Sequence, residues 1–212
     1  MPCPTNARKP TGWRWTPKAK CVRPAVDSPR MRLYVGIPLN SEVRAELNSA
    51  LTPAISQVDG WRWASADSWH ITLVFLGNTS QEQFEVISSQ LRAVNSPAVP
   101  TRIDRIDFFG RAGVFFANVS LCSELSALQQ KVSDAATQSG FAQETRPYHP
   151  HITLARAEDR TRSRSLRAFR DMLPEAPEFS PFLAEEFLLF ESFLGPAGAR
   201  YEVRERFELT RT

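Results

Sequence analysis

Apolar positions recur along this 212-residue chain in two rhythms, one of strands and one of helices, and neither begins before residue 31. Residues 32–37 (Arg-Leu-Tyr-Val-Gly-Ile) are β-branched and aromatic and stop at Pro38, which predicts a strand. From Ser41 to about Gln57, Val43, Leu47, Ala50, Leu51 and Ile55 recur at helical spacing. Residues 61–63 (Trp-Arg-Trp) read as a short strand, and residues 70–76 as a longer one ended by Gly77. Ser80 is placed to cap a helix from Gln81 to about Val94 that turns Phe84, Ile87, Leu91 and Val94 inward. Strands are expected over residues 99–106 and 114–119. A helix capped by Ser123 then carries Leu125, Leu128 and Val132 towards Gly140. Residues 151–155 form a further strand. Asp159 caps a helix bearing Leu166, Ala168, Phe169 and Met172, ended by Pro174 and Pro177. Two late strands, 182–193 with a break near Glu185 and 201–209, finish the pattern. Strands gathered around single helices, without a repeated βαβ rhythm, predict an α+β fold with antiparallel or mixed sheets.

Composition narrows the class. With 42% hydrophobic and 23% charged residues the body can bury a core. The length suits one domain, or one built from two similar halves. No apolar run reaches the roughly 18 residues of a membrane span, so no membrane partner is expected. Cys3, Cys21 and Cys122 show no CxxC spacing, which argues against a disulfide scaffold or a structural zinc site and favours a reducing cytoplasm. Charge is uneven: residues 1–30 carry seven Lys or Arg and one Asp, a net of +6, which leaves the remainder at −3. This segment is rich in Pro, has no apolar periodicity and lacks the apolar run of a signal peptide. It is expected to be a disordered extension, with Met31 as an alternative start, rather than a nucleic-acid arm using Trp13 and Trp15. The folded domain is then residues 31–212.

The chemistry concentrates in a repeated tetrapeptide. Two of the three histidines open the same four residues, His70-Ile-Thr-Leu73 and His151-Ile-Thr-Leu154; the third is His149. Strand alternation puts His70 and Thr72 on one face, with Val74 and Leu76 after them, and Ile71, Leu73 and Phe75 on the other. The second copy does the same with His151 and Thr153. The separation of 81 residues implies two similar lobes sharing a cleft. Imidazole titrates near 6.5, so one histidine can act as base and another as acid at neutral pH. Threonine hydroxyls suit phosphate oxygens. No carboxylate stands at metal-ligand spacing from either histidine. The set predicts metal-free, cofactor-free acid–base chemistry on a phosphodiester, where water loses a proton while the leaving oxygen gains one. A single His-x-Thr on a strand is ordinary packing; two copies with the same flanks are not.

The pair of His-x-Thr-x motifs resembles the signature of the 2H phosphoesterases, and within them the RNA 2′,3′-cyclic phosphodiesterase branch, also called the 2′-5′ RNA ligase family. The resemblance runs over residues 31–209, through residues 31–38 (Met-Arg-Leu-Tyr-Val-Gly-Ile-Pro), 61–63, 69–77, 148–156 (Tyr-His-Pro-His-Ile-Thr-Leu-Ala-Arg) and 189–192. It implies an α+β fold of two similar lobes, with flanking helices around a central cleft. It also implies hydrolysis of a 2′,3′-cyclic phosphate at an RNA 3′ end, tRNA fragments included, to a 2′-phosphate by a monomer. By position it implies that His70 is the general acid, that His151 is the general base, and that Thr72 and Thr153 hold the phosphate. Joining to a 5′-hydroxyl as a 2′-5′ linkage is the implied side reaction. The competing readings are a small cyclic nucleotide or 2′-5′ oligonucleotide as substrate, an RNA-binding module without turnover, and, last, a zinc hydrolase built on the three histidines.

Other residues rank lower. Arg156 is a candidate for phosphate or base contact, but strict alternation places it opposite His151. His149 reads as orienting or structural, Phe75 as core rather than a base platform, and Tyr148 as a cleft-edge contact. Arg160, Arg164 and Arg167 share a helical face, with Arg162 and Arg170 nearby; a solvated face is favoured slightly over an RNA guide.

Overall fold

Ile71, Leu73, Ile152 and Leu154 of the central strands are buried in the core with the helices, and the motif histidines and threonines between them are turned to the other face, which builds the site. The computed structural model describes residues 30–55, 60–110, 112–157, 178–195 and 198–211. The extension and the helix expected after Asp159, with its arginines, lie outside them. In chain order the strands are β1 (Met31–Pro38), β2 (Trp61–Trp63), β3 (His70–Thr79), β4 (Val99–Thr101), β5 (Ile103–Phe109), β6 (Val114–Val119), β7 (His151–Ala157), β8 (Phe182–Ala184), β9 (Glu186–Gly195) and β10 (Gly198–Glu208). The helices are α1 (Ser41–Ile55), α2 (Gln81–Arg92) and α3 (Ser123–Gln138), with a 3₁₀ turn at Ala66–Ser68.

Eight strands form one sheet in the order β10-β9-β1-β3-β7-β6-β5, with β2 paired to β7. Its strand pairs are antiparallel rather than mixed. The sheet is pinched at its centre: β3 and β7 meet through one residue pair, Ile71 opposite Ile152. On one side lie β10, β9, β1 and β3, and on the other β7, β6, β5 and β2, which is the expected pair of lobes. β4 and β8 form a separate two-stranded ladder. The strand expected over 99–106 is therefore two strands in different sheets, divided at Arg102.

The three helices bury Val43, Leu47, Leu51, Ile87, Leu91, Leu125, Leu128 and Val132 against Val35, Ile37, Ile71, Phe115, Ile152 and Leu154 of the sheet. Ile71 and Ile152 have no exposed surface; each contributes roughly 1.5–3 kcal/mol of burial at the junction of the lobes. Local signals set the helix starts. Ser80 and Gln83 close a capping box on α2. The Asn40 side chain accepts from Val43 N–H at 2.9 Å before α1. Cys122, rather than Ser123, caps α3, its Sγ accepting from Leu125 N–H.

Candidate active site

The antiparallel register at Ile71 and Ile152 decides how the two motifs combine. With those residues opposite each other, His70 lies at the Thr153 end of the junction and His151 at the Thr72 end. Each imidazole thus joins the other copy's hydroxyl. All four side chains are on the face away from the helices and are half-buried. The two histidines are near enough that charge on His151 disfavours protonation of His70.

His70 sits in an aromatic box. Its ring stacks on Tyr34 at 4.5 Å, and Phe190 and Tyr201 each lie 5.5 Å away. The Tyr34 hydroxyl is 3.5 Å from Nδ1. Gly36 leaves room for the imidazole on the neighbouring strand: a Cβ there would stand 3.3 Å from His70 Cδ2 and 2.9 Å from the Ile71 carbonyl oxygen. His70 Nδ1 is 2.7 Å from the Ser68 carbonyl oxygen. A carbonyl only accepts, so Nδ1 carries hydrogen and Nε2 is left as a bare lone pair. Burial outweighs this bond and pulls the His70 pKa down to about 4.

His151 is built alike but more openly. Its Nδ1 donates to the His149 carbonyl oxygen at 2.8 Å, so His149 orients it through the backbone. Phe109 and Phe116 stack on each other at 4.0 Å and present their rings to His151 at 5.4 and 5.6 Å. Burial lowers the His151 pKa, and the charges of His149 and Arg156 lower it further. The burial of Tyr34 and Tyr148 raises both phenols, which therefore stay neutral.

Two β-bulges overturn the strict alternation read from sequence. Val35 pairs with Val74 while Gly36 pairs with Thr72, so Leu73 is the extra residue in β3. Beyond it, Val74 and Leu76 pack on the core. Phe75 turns onto the His70 face opposite Tyr34, with rings 6.0 Å apart, and is 69% exposed. Phe75 is therefore not a core residue. In β7, Phe115 pairs with Ala155 while Phe116 pairs with Thr153, so Leu154 is extra. Ala155 is buried, and Arg156 is exposed on the face of Thr153. The bulge supplies the twist that Arg156 needed. Tyr148 is half-buried and donates to the Thr72 carbonyl oxygen at 3.1 Å, tying the second motif's approach to the first.

Sequence reasoning missed Tyr34, Phe190 and Tyr201 as neighbours of His70. Only the parity of Tyr34 with Gly36 in β1 hinted at one of them; the other two arrive on strands more than 100 residues later. Among the described residues, no cluster of three His, Cys, Asp or Glu side chains is placed to hold a metal ion, and no helix is long and apolar enough to cross a membrane.

The 2′-5′ RNA ligase superfamily model matches residues 41–191. An RNA 2′,3′-cyclic phosphodiesterase of Bacillus subtilis (strain 168) is 33% identical over 192 residues, 85% of this chain and 98% of that protein. One of Escherichia coli (strain K12) is 28% identical over 181 residues, 84% and 97% of the two chains. Crystal structures of E. coli LigT superpose with TM-scores of 0.70 in the apo form, at 26% identity, and 0.71 with 3′-AMP, at 25% identity. Both matches cover 86% of this chain and 99% of LigT.

Proposed function

From its membership of the 2′-5′ RNA ligase superfamily, to which this chain belongs, we propose that the protein hydrolyses 2′,3′-cyclic phosphate at an RNA 3′ end to a 2′-phosphomonoester. The observation that carries this reading is the Ile71–Ile152 junction, whose register puts each motif histidine at the end where the opposite motif's threonine lies.

His151 Nε2 takes a proton from water, and the water oxygen attacks phosphorus. The bond from phosphorus to O3′ breaks, and His70 Nε2–H supplies the proton that the leaving oxygen needs. Base and acid sit on opposite sides of phosphorus, as in-line displacement requires. Thr72 and Thr153 donate to the non-bridging oxygens. The carbonyls of Ser68 and His149 keep both Nδ1 atoms protonated, so both Nε2 atoms do the proton transfer. In the free protein burial keeps both imidazoles neutral at pH 7. The negative cyclic phosphate offsets that burial and lets His70 hold its proton. Phe75, exposed on the His70 face beside Tyr34, stacks on the terminal nucleobase. A 5′-hydroxyl in place of water, by the same steps, gives the 2′-5′ joining reaction: its oxygen attacks phosphorus, O3′ leaves with the proton from His70, and a 2′-5′ phosphodiester remains.

The reading places catalysis in residues 31–212 of a cytoplasmic monomer acting on RNA ends, tRNA fragments among them, with residues 1–30 dispensable. The test is incubation in EDTA with a short RNA ending in a 2′,3′-cyclic phosphate, beside His70→Ala, His151→Ala and a chain beginning at Met31. Phosphorus NMR showing a 2′-phosphate from the wild type and the shortened chain, and near-complete loss in both variants, is expected. Full activity in either histidine variant overturns the assignment.

A further inference from the structure

Charge pairing among the described residues singles out one residue that the motifs do not contain. Nine arginines among the described residues lie within ion-pair distance of a carboxylate. Arg62 and Arg156 have no such partner among the described residues, and they are directly opposite each other in the β2–β7 pairing. Residues opposite in an antiparallel pair point to the same side with Cβ atoms roughly 4.5–5.5 Å apart, and like charges placed so are destabilising. Both side chains are exposed, while the flanking Trp61 is buried. Their shared side is the catalytic one, because Arg156 and Thr153 face Val114 and Phe116, two residues apart on the regular strand β6. A third arginine without a carboxylate partner among the described residues, Arg32, is exposed on β1 with the parity of Tyr34 and Gly36, hence on the same face. By contrast, the groove beside the His70 box, of about 1090 Å³, is rimmed by Arg44, Arg206 and Arg211. Each of those is neutralised by a carboxylate.

An arginine pair with no carboxylate partner among the described residues, placed so at a cost in sheet stability, is suited to an external anion. The pair lies three residues beyond Thr153, about 10 Å along the strand. An anion there is a second one, separate from the cyclic phosphate. We propose that Arg62, with Arg156, binds the phosphodiester that precedes the terminal nucleotide, so that the enzyme reads an RNA strand and not a lone nucleotide. The inference rests on the cyclic phosphodiesterase reading. A bidentate guanidinium contact to phosphate suits both geometry and charge.

The test compares adenosine 2′,3′-cyclic phosphate with a tetranucleotide ending in the same group, for wild type, Arg62→Ala and Arg62→Lys. Arg146→Ala, whose partner is Glu144, serves as the control. Arg62→Ala is expected to raise KM for the tetranucleotide about tenfold at low salt, with kcat within about twofold and the mononucleotide unchanged. The slope of log affinity against log salt should flatten by about 0.7, the value for one lost phosphate contact on a single strand. Arg62→Lys should recover part of the KM, and Arg146→Ala none of these effects. Equal losses on both substrates, or none on either, overturn the proposal. Anisotropy of a labelled tetranucleotide ending in a 2′-phosphate gives a second readout that needs no turnover. If the wild type hydrolyses neither substrate, the reaction assigned above falls. Weakened tetranucleotide binding by Arg62→Ala would then still support the phosphodiester contact, and unchanged binding would overturn it.

Discussion

Phe75 and Arg156 hold equivalent places in the two lobes. Each is the sixth residue of its motif strand counted from the histidine, and each is turned onto the histidine face by a bulge at the motif leucine, Leu73 or Leu154. Because the two strands are antiparallel, the ring and the guanidinium stand towards opposite ends of the site, Phe75 opposite Tyr34 and Arg156 opposite Arg62; the ring offers a plane for a nucleobase. Phe75→Ala is expected to raise KM for a nucleoside 2′,3′-cyclic phosphate by about tenfold or more, since stacking contributes roughly 1–3 kcal/mol per base. Phe75→Tyr should restore it. Because the ring is 69% exposed, neither change should move the melting temperature by more than a degree or two. A large loss of stability would return Phe75 to the core.

The charge on the substrate should be legible in the pH profiles. kcat/KM reports the free enzyme, in which both histidine pKa values are depressed by burial. kcat reports the complex, where the phosphate anion raises them. The alkaline limb of kcat/KM is expected to lie at lower pH than that of kcat. Coincident limbs would remove the phosphate from the protonation of His70.

Stability should fall on mild acidification through His70. Its folded pKa of about 4 lies below the ordinary 6.5, so the unfolded chain binds more protons between those values. Stability is then complete above pH 6.5 and lost as pH falls towards 4, by at most about 3 kcal/mol from this residue. His151 adds a smaller loss of the same sign. Urea unfolding of wild type and His70→Gln at pH 7 and pH 4.5 checks this. The variant should lose less on acidification, and parallel losses would contradict the assignment.

Joining two lobes through one residue pair makes that pair sensitive. Ile152→Ala leaves a cavity opposite the fully buried Ile71 and should cost roughly 2–5 kcal/mol in chemical unfolding. Ile152→Val, which keeps the β-branched shape, should cost roughly 0.5–1.5 kcal/mol. Activity in the folded fraction of Ile152→Ala should drop as well, because the same pair aligns His70 with Thr153. Unaltered activity would show that the alignment is held elsewhere.

Much of this protein is decided locally and was legible in residue order. The strands at residues 61–63, 114–119 and 151–155, the break at Glu185, and the capping box at Ser80 follow from alternation and short-range hydrogen bonding. So does the placing of His70 beside Thr72 and of His151 beside Thr153. The doubled tetrapeptide also announced the chemistry, because imidazole and hydroxyl on one strand face need only a period of two. Tertiary structure decided the rest. Bulges at Leu73 and Leu154 lie in strands that pair with neighbours on both sides, β3 with β1 and β7, and β7 with β6, β2 and β3, and one-dimensional parity cannot contain them. Parity alone makes Phe75 a core residue and turns Arg156 away from His151; the bulges reverse both. The box of Tyr34, Phe190 and Tyr201 around His70, and the opposition of Arg62 to Arg156, depend on strand order and register. Those are set by burying the apolar faces of distant segments against the same helices, a long-range balance that no local pattern of residues records.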